Sequence, residues 1–241
     1  MQRVVGRIPV LECLRAGKRT ARRLFVLQGA RGIDDIRQAA GTLPVKECSR
    51  RELDDLTEGI QHQGVVLETD DLPVYDLTSW LRRHDSRDVI LVLLDGIEDP
   101  HNFGAIVRSA SACGAAAVVI AKDRSAPISP TAVKSAAGAM EHIDIIQTVN
   151  LVRAMESVKE AGFWIAALDP EGEKALWEAD LKGRIALVVG NEGEGIRRLV
   201  RENCDFFLRI PMPGPIPSLN ASVSAAIALA ECVRQRVISS N

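Results

Sequence analysis

A parallel-sheet α/β domain preceded by a smaller α/β module is the fold class that the sequence predicts, and three observations carry it. From residue 88 onward, short apolar runs alternate with helical patterns, as expected when strands lie side by side under helices on both faces. The strongest run, VILVLLD at Val89–Asp95, is apolar nearly throughout, which suits a strand buried on both sides. The apolar residues are mainly Ala, Val, Leu and Ile, and aromatics make up only 4% of a chain that is 46% hydrophobic. With 241 residues, the chain is long enough for one large domain or for a small one followed by a medium one.

The elements follow in order. Residues 5–16 read as a helix, with Val10, Leu11 and Leu14 on one face. Residues 23–28 read as a strand, 33–40 as a short helix and 45–48 as a short strand. Ser49 followed by Glu52 forms a capping box for a helix over 50–57. Residues 64–68 (GVVLE) read as a further strand, which closes a module at 1–70. The acidic stretch 71–87 reads as a linker or linking helix. In the second domain, 88–241, strands are expected at 89–95, 116–121, 143–148, 164–168, 184–189 and 206–210. Helices are expected at 104–113, 130–139, 151–161, 195–202 and 222–237.

Composition narrows the function classes. Nothing approaches a run of 18 apolar residues, and MQRVVGRIPV lacks the apolar core of a signal peptide, so a cytoplasmic protein is expected with no membrane partner. The five cysteines are odd in number and widely spaced, without C-x-x-C, and the four histidines are scattered. Neither a disulfide framework nor a metal site is expected, and Cys113 and Cys232 read as small core residues. Net charge is −2, but residues 1–50 hold 11 Lys and Arg against 4 Asp and Glu. Arg15, Lys18, Arg19, Arg22 and Arg23 crowd into nine residues and are candidate RNA-phosphate contacts; a solvated helix end is the plainer reading.

Three segments do not read as scaffold. In DGIEDPHNFGAIVR (95–108), a buried strand opens into a helix at the sheet edge where α/β ligands bind. There Asp99-Pro100 breaks the chain, Asn102 can cap the helix, Gly104 permits close approach and Arg108 can meet a phosphate. In LVVGNEGEGI (187–196), three glycines in six residues bring backbone close to a ligand, and Glu192 can orient a polar substrate. In RIPMPGPIPSLNASVS (209–224), alternating prolines stiffen a loop delivered onto a helix N-terminus. Each also has a bland reading: a cap and a surface ion pair, an exposed turn, a Pro-rich loop with a Ser or Asn cap. The glycine turn alone admits a nucleotide-binding oxidoreductase, but the dinucleotide fingerprint and its ribose-binding acid are missing.

In order, spacing and content, DPHNFGAIVRSA, VVGNEGEGI and IPMPG…SLNASVS resemble the three motifs of the SpoU (TrmH-like) branch of SPOUT RNA methyltransferases. The likeness spans residues 88–241. The N-terminal module, through VGRIPVLECLRAG and HQGVV, is similar to that branch's substrate-binding domain, an L30e-like RNA-binding fold. Within the branch the chain is similar to the RlmB-type enzymes, which implies 2′-O-methylation of a guanosine ribose in 23S ribosomal RNA. Transfer RNA is the alternative substrate, and a non-catalytic RNA-binding protein the further one.

The resemblance implies more. It implies S-adenosylmethionine (AdoMet) as cofactor, a homodimer with active-site parts contributed across the interface, and a deep trefoil knot involving the loops around 187–196 and 209–220. Carried over by motif, Gly190, Ile210 and Leu219 line the AdoMet site, with Asn191, Gly193, Met212 and Ser218 as neighbours. Asn102, Arg108, Glu192 and Asn220 match the catalytic positions. Two departures stand out: Asn191 occupies a place where Ser or Ala is frequent, and the loop 214–217 is richer in proline than usual. They bear on loop shape and leave every reacting group in place.

Overall fold

Short apolar strands separated by Gly and Ser build the N-terminal module of the computed structural model, which describes residues 1–215 and 218–239. Its elements are β1 (Gln2–Val5), α1 (Arg7–Ala16), β2 (Ala21–Leu27), α2 (Asp34–Ala40), β3 (Val45–Cys48), α3 (Arg50–Thr57) and β4 (Val65–Thr69). The strand order is β1-β4-β2-β3, with β4 antiparallel to both neighbours and β3 parallel to β2. The expected capping box is present: Ser49 accepts from the Glu52 amide, and Glu52 accepts from the Ser49 amide at 2.7 Å. β1 was not foreseen. QRVV is too short to show a period, and it becomes a strand only because β4 offers an edge.

The segment 71–87 carries β5 (Val74–Tyr75) and α4 (Leu77–Arg83). β5 pairs with the larger sheet, and Trp80 is fully buried against it. The remaining strands are β6 (Val89–Asp95), β7 (Ala117–Ala121), β8 (Asp144–Thr148), β9 (Trp164–Leu168), β10 (Lys174–Ala175), β11 (Arg184–Gly190) and β12 (Phe206–Arg209). Among the described residues eight strands form one sheet of order β10-β12-β9-β11-β6-β7-β8-β5, and every pairing in it is parallel. Along β6, Ile90, Val92 and Leu94 face one layer while Leu91 and Leu93 face the other, and all are buried. That two-sided burial is why the run carries no polar residue before Asp95.

One layer holds α5 (Pro100–Ala112), α6 (Pro130–Ser135) and α9 (Ala221–Ser239); the other holds α4, α7 (Leu151–Glu160) and α8 (Arg198–Arg201). Three expected boundaries are corrected. α5 begins at Pro100, because Asp99 accepts the His101 and Asn102 amides and proline suits the first helical position; Asp99, and not Asn102, is the cap. α6 ends at Ser135, and the rest of the run becomes a single 3₁₀ turn at Ala139–Glu141. The helix expected at 195–202 is reduced to α8, since residues 191–195 fold back on themselves through paired Asn191–Gly195 backbone hydrogen bonds of 2.9 and 3.0 Å. Ile216 and Pro217 of the proline-rich loop, like Ser240 and Asn241, lie outside the described residues.

The two modules share a polar seam over a continuous core. The Arg19 guanidinium, buried to 1% side-chain exposure, grips the equally buried Glu141 carboxylate and donates to the Gln2 side chain at 2.8 Å. Lys18 donates to the Ile143 carbonyl at 2.6 Å and lies 3.3 Å from Asp144, which also accepts from the Trp80 indole. His142 meets Glu12 at 2.8 Å. Backbone packs tightly here as well: a Cβ on Gly138 would stand 2.6 Å from the Glu12 Cβ.

Candidate functional site

Strand ends decide where the chemistry collects. In a parallel sheet all carboxyl ends open on one edge, and β12, β9 and β11 are neighbours there. The loops leaving these three strands, together with the N-terminus of α9, enclose a cavity of about 400 Å³. Gly190, Asn191, Gly193, Ile210, Met212, Ser218 and Leu219 all line it, as does Glu192.

Gly190 is required by packing. A Cβ there would lie 2.6 Å from the Gly195 carbonyl carbon and oxygen, so only glycine lets the 191–195 turn close over the end of β11. Asn191 braces that turn: its amide donates to the Gly96 carbonyl at 2.8 Å and its oxygen accepts from the Gly193 amide at 2.8 Å. The Asn191 side chain is thereby committed to shaping the loop, as are its backbone N–H and C=O through their bonds to Gly195. Asp95, fully buried at the end of β6, holds the far side of the same loop through the Arg197 amide at 2.8 Å and the Arg197 guanidinium at 2.6 Å. Sequence reasoning missed Asp95, although a carboxylate closing an otherwise apolar strand is a visible signal.

Three of the four candidate catalytic residues meet at the rim of the cavity. One Glu192 oxygen, Oε1, accepts from Asn102 at 3.0 Å, from the Ala221 amide at 3.1 Å and from the Asn220 amide group. The Asn220 amide group also donates to the Asn102 oxygen at 2.9 Å. Its own oxygen caps α9 by accepting the Ser222 and Val223 amides at 2.9 and 3.3 Å. Asn102 sits in the first turn of α5, Glu192 in the turn after β11 and Asn220 at the head of α9, so three distant segments converge on one oxygen. Glu192 Oε2 keeps its acceptor capacity, since none of these donors uses it.

Arg108 stands apart. Six residues beyond Asn102, it lies a third of a turn around α5 and about 9 Å along the axis. It is exposed and makes no hydrogen bond or ion pair with another described residue. Gly104 does permit a close approach, but of protein to protein: a Cβ there would meet the Ala132 carbonyl of α6 at 2.5 Å.

The cavity has a further wall that sequence reasoning missed, residues 168–171 after β9 and Arg201 of α8. Asp169 is ion-paired with Arg201, whose guanidinium stacks 4.4 Å from the Phe207 ring centre. The stretch ALDPEG could have been flagged by the same rule as the others, an apolar strand ending in polar turn residues at the carboxyl edge.

The basic N-terminal cluster disperses. Lys18 and Arg19 are committed to the seam, Arg22 is doubly bonded to Asp70 at 2.8 Å, and Arg15 lies 3.7 Å from Glu12. Arg23 alone of the five is exposed without a partner among the described residues. Burial pushes the Cys13 thiol up to about 11, aided by Glu141, and Cys232 to about 11. The Cys204 thiol rises to about 12 for the same reason, so these three are poor nucleophiles at neutral pH. Among the described residues no three His, Cys, Asp or Glu side chains converge as metal ligands.

The donor set fits AdoMet. Aliphatic Ile210 and Leu219 suit the faces of an adenine ring, turn backbone is at hand for its polar edge, and Glu171 and Glu194 place negative charge near a cationic ligand.

A family model of the SpoU rRNA methylases matches residues 89–230, and a model of the RNA 2′-O ribose methyltransferase substrate-binding domain matches residues 3–75. The chain is 45% identical to a 23S rRNA (guanosine-2′-O-)-methyltransferase RlmB of Pseudomonas aeruginosa, over 82% of this chain and 81% of the relative. It is 42% identical to the RlmB of Pseudomonas putida over 83% and 81%. The solved structure of AviRb, a SpoU methyltransferase of Streptomyces viridochromogenes in complex with AdoMet, superposes with a TM-score of 0.82 at 26% identity, covering 98% of this chain and 90% of that one.

Proposed function

We propose, from the premise that the chain belongs to the SpoU rRNA methylase family, that it transfers a methyl group from AdoMet to the ribose 2′-hydroxyl of a guanosine in 23S ribosomal RNA. It is an AdoMet-dependent RNA ribose 2′-O-methyltransferase. The observation that carries the assignment of the site is the convergence of Asn102, Asn220 and the Ala221 amide on one oxygen of Glu192 at the rim of the cavity.

AdoMet supplies an electrophilic methyl group on a sulfonium, and the protein's task is alignment of the ribose oxygen and disposal of its proton. Gly190, Ile210 and Leu219 hold the cofactor, with Asn191, Gly193, Met212 and Ser218 around them. Glu192, fixed by three donors on Oε1, orients the ribose with Oε2. Asn220 locks Glu192 to the head of α9, and Asn102 locks both to α5. Arg108 binds the phosphate of the target nucleotide and stabilises the developing alkoxide. A guanidinium stays protonated in proteins, so the proton leaves through a phosphate oxygen or water.

The active unit is a homodimer, in which Arg108 of one protomer completes the partner's site. Two features support this: Arg108 is exposed and makes no hydrogen bond or ion pair with another described residue, and the neighbouring α9 exposes Val223, Val237 and Ile238. The loops around 187–196 and 209–220 are those of the family's deep trefoil knot, a reading supported by Gly190, Gly193, Ile210, Met212 and Leu219 lining one cavity. Residues 1–70 deliver the RNA and residues 88–241 carry the reaction. No helix among the described residues is long and apolar enough to cross a membrane, and the enzyme works in the cytoplasm on ribosomal RNA.

The experiment is transfer of labelled methyl from AdoMet to unmodified 23S and transfer RNA fractions, followed by nucleoside analysis. Label as 2′-O-methylguanosine in 23S RNA alone is expected. Label in transfer RNA overturns the substrate, and no label in either overturns the reaction.

A further inference from the structure

The N-terminal module needs cations to meet RNA, yet four of the five expected ones are engaged elsewhere. Three other arginines converge on a groove of about 440 Å³ between the start of α1, the loop after β2 and the start of α3. We infer that this groove, bounded by Arg7, Arg31 and Arg50, is where the module grips the phosphate backbone of the substrate RNA. The inference rests on the methyltransferase reading for the identity of the RNA.

The groove is net positive, with three arginines against the single carboxylate of Asp54 among its lining residues. Arg7 donates to two backbone carbonyls, Gln63 at 3.1 Å and Arg31 at 2.8 Å. Neutral acceptors fix its guanidinium without cancelling its charge, and Nη1 makes no hydrogen bond with a described residue. Arg31 and Arg50 are exposed, and neither makes an ion pair with a described residue. The one carboxylate among the lining residues, Asp54, accepts from His62 at 3.1 Å and is outnumbered by the three arginines. His62 Nδ1 accepts from the Gly64 amide at 2.9 Å, so the proton sits on Nε2 and is donated to Asp54. Gln63 and Gly64 both hold left-handed backbone, at φ 54° and 84°, and the Gln63 side chain accepts from the Arg7 amide at 3.0 Å. The floor is therefore set before any ligand arrives, which lowers the ordering cost of binding. Guanidinium groups in a fixed frame suit bidentate phosphate recognition.

The test compares this groove with the dispersed cluster. Binding of the full-length protein to an unmodified 23S RNA transcript is measured by mobility shift over a salt series, with AdoMet affinity measured separately. Arg31→Ala with Arg50→Ala is expected to weaken RNA binding at least tenfold. The salt slope should fall by about 1.4, the value for two single-stranded phosphate contacts. AdoMet affinity should stay within twofold. Arg15→Ala with Arg22→Ala should change RNA binding less than threefold. Arg50→Glu serves as a second probe, because an acid at the first position of α3 favours the helix while reversing charge in the groove; it too should weaken RNA binding tenfold. Unchanged RNA affinity and slope in the groove variants, or a larger loss in the Arg15 and Arg22 pair, overturns the inference. Because the readout is binding, a wild-type protein that binds through the groove but transfers no methyl would overturn the reaction and leave the groove standing.

Discussion

The carboxyl edge of the large sheet and the basic stretch 15–23 both look, in one dimension, like functional clusters, but the fold gathers only the side chains of the first. Asn102, Glu192 and Asn220 lie up to 118 residues apart in sequence and share hydrogen bonds of 2.9 and 3.0 Å. Arg15, Lys18, Arg19, Arg22 and Arg23 lie within nine residues and part company: two enter the seam, two pair with carboxylates and one faces solvent. Strand ends in a parallel sheet are forced together by topology, whereas neighbouring side chains on a turn and a strand point in different directions. Position in the fold, and not proximity in the chain, decides which side chains converge.

The largest effect expected from breaking this contrast is on stability. Arg19→Ala leaves Glu141 buried without its partner, a change that typically costs about 3–5 kcal/mol. Urea unfolding should show that loss, while methyl transfer by the folded fraction stays within about threefold. Arg19→Met combined with Glu141→Leu should recover most of the stability, since a buried pair replaced by apolar residues is often neutral. A large loss of turnover in the folded fraction would place Arg19 in the chemistry after all.

Arg108→Ala is the converse. It is exposed and makes no hydrogen bond or ion pair with another described residue, so the melting temperature should hold within about a degree, in keeping with small surface effects. Turnover should fall by about 10²–10³, the usual effect of removing one donor from a developing oxyanion. AdoMet affinity should stay within twofold by titration calorimetry; an equal loss of binding and turnover would sink the role assigned to it.

Gly190→Ala sharpens the boundary between scaffold and site. The added Cβ has backbone atoms of Gly195 at 2.6 Å, so the 191–195 turn must shift. Overpacking of this kind costs about 1–3 kcal/mol. Because the turn walls the cavity, AdoMet affinity should fall at least tenfold along with stability. Lost stability with full cofactor affinity would show that the turn is not part of the cofactor site.

How much was legible follows the same division. The VILVLLD strand, the Ser49–Glu52 capping box and the three motif segments were readable because each is local: an apolar run, a spacing of three, a glycine or proline pattern. β1, β5 and β10 were not, since two to four residues carry no period and exist only by pairing with a neighbour. The commitment of Lys18 and Arg19 to the seam was hidden for a related reason. Their partners Asp144 and Glu141 lie over 120 residues away, and nothing in either segment announces the other. Glu192 was legible as a candidate, but the three donors on its one oxygen required the fold.

The smallest expected effect probes the seam through a thiol. Cys13 is held up to about 11 first by burial and next by Glu141, while Arg19 pulls it down. In the unfolded chain the thiol ionises near its ordinary value of 9.0, so between about pH 9 and 11 the unfolded state gives up its proton first. Stability contributed by the protonated thiol is complete below pH 9 and declines as pH rises towards 11. Glu141→Gln removes the raising charge and keeps Arg19, so the Cys13 value should drop. With the other four cysteines replaced by serine, alkylation by iodoacetamide at pH 8.5 or so under folding conditions should then speed up modestly. An unchanged rate, with the variant still folded, would mean that burial alone sets the thiol and that the seam charges are too well matched for Cys13 to feel either one.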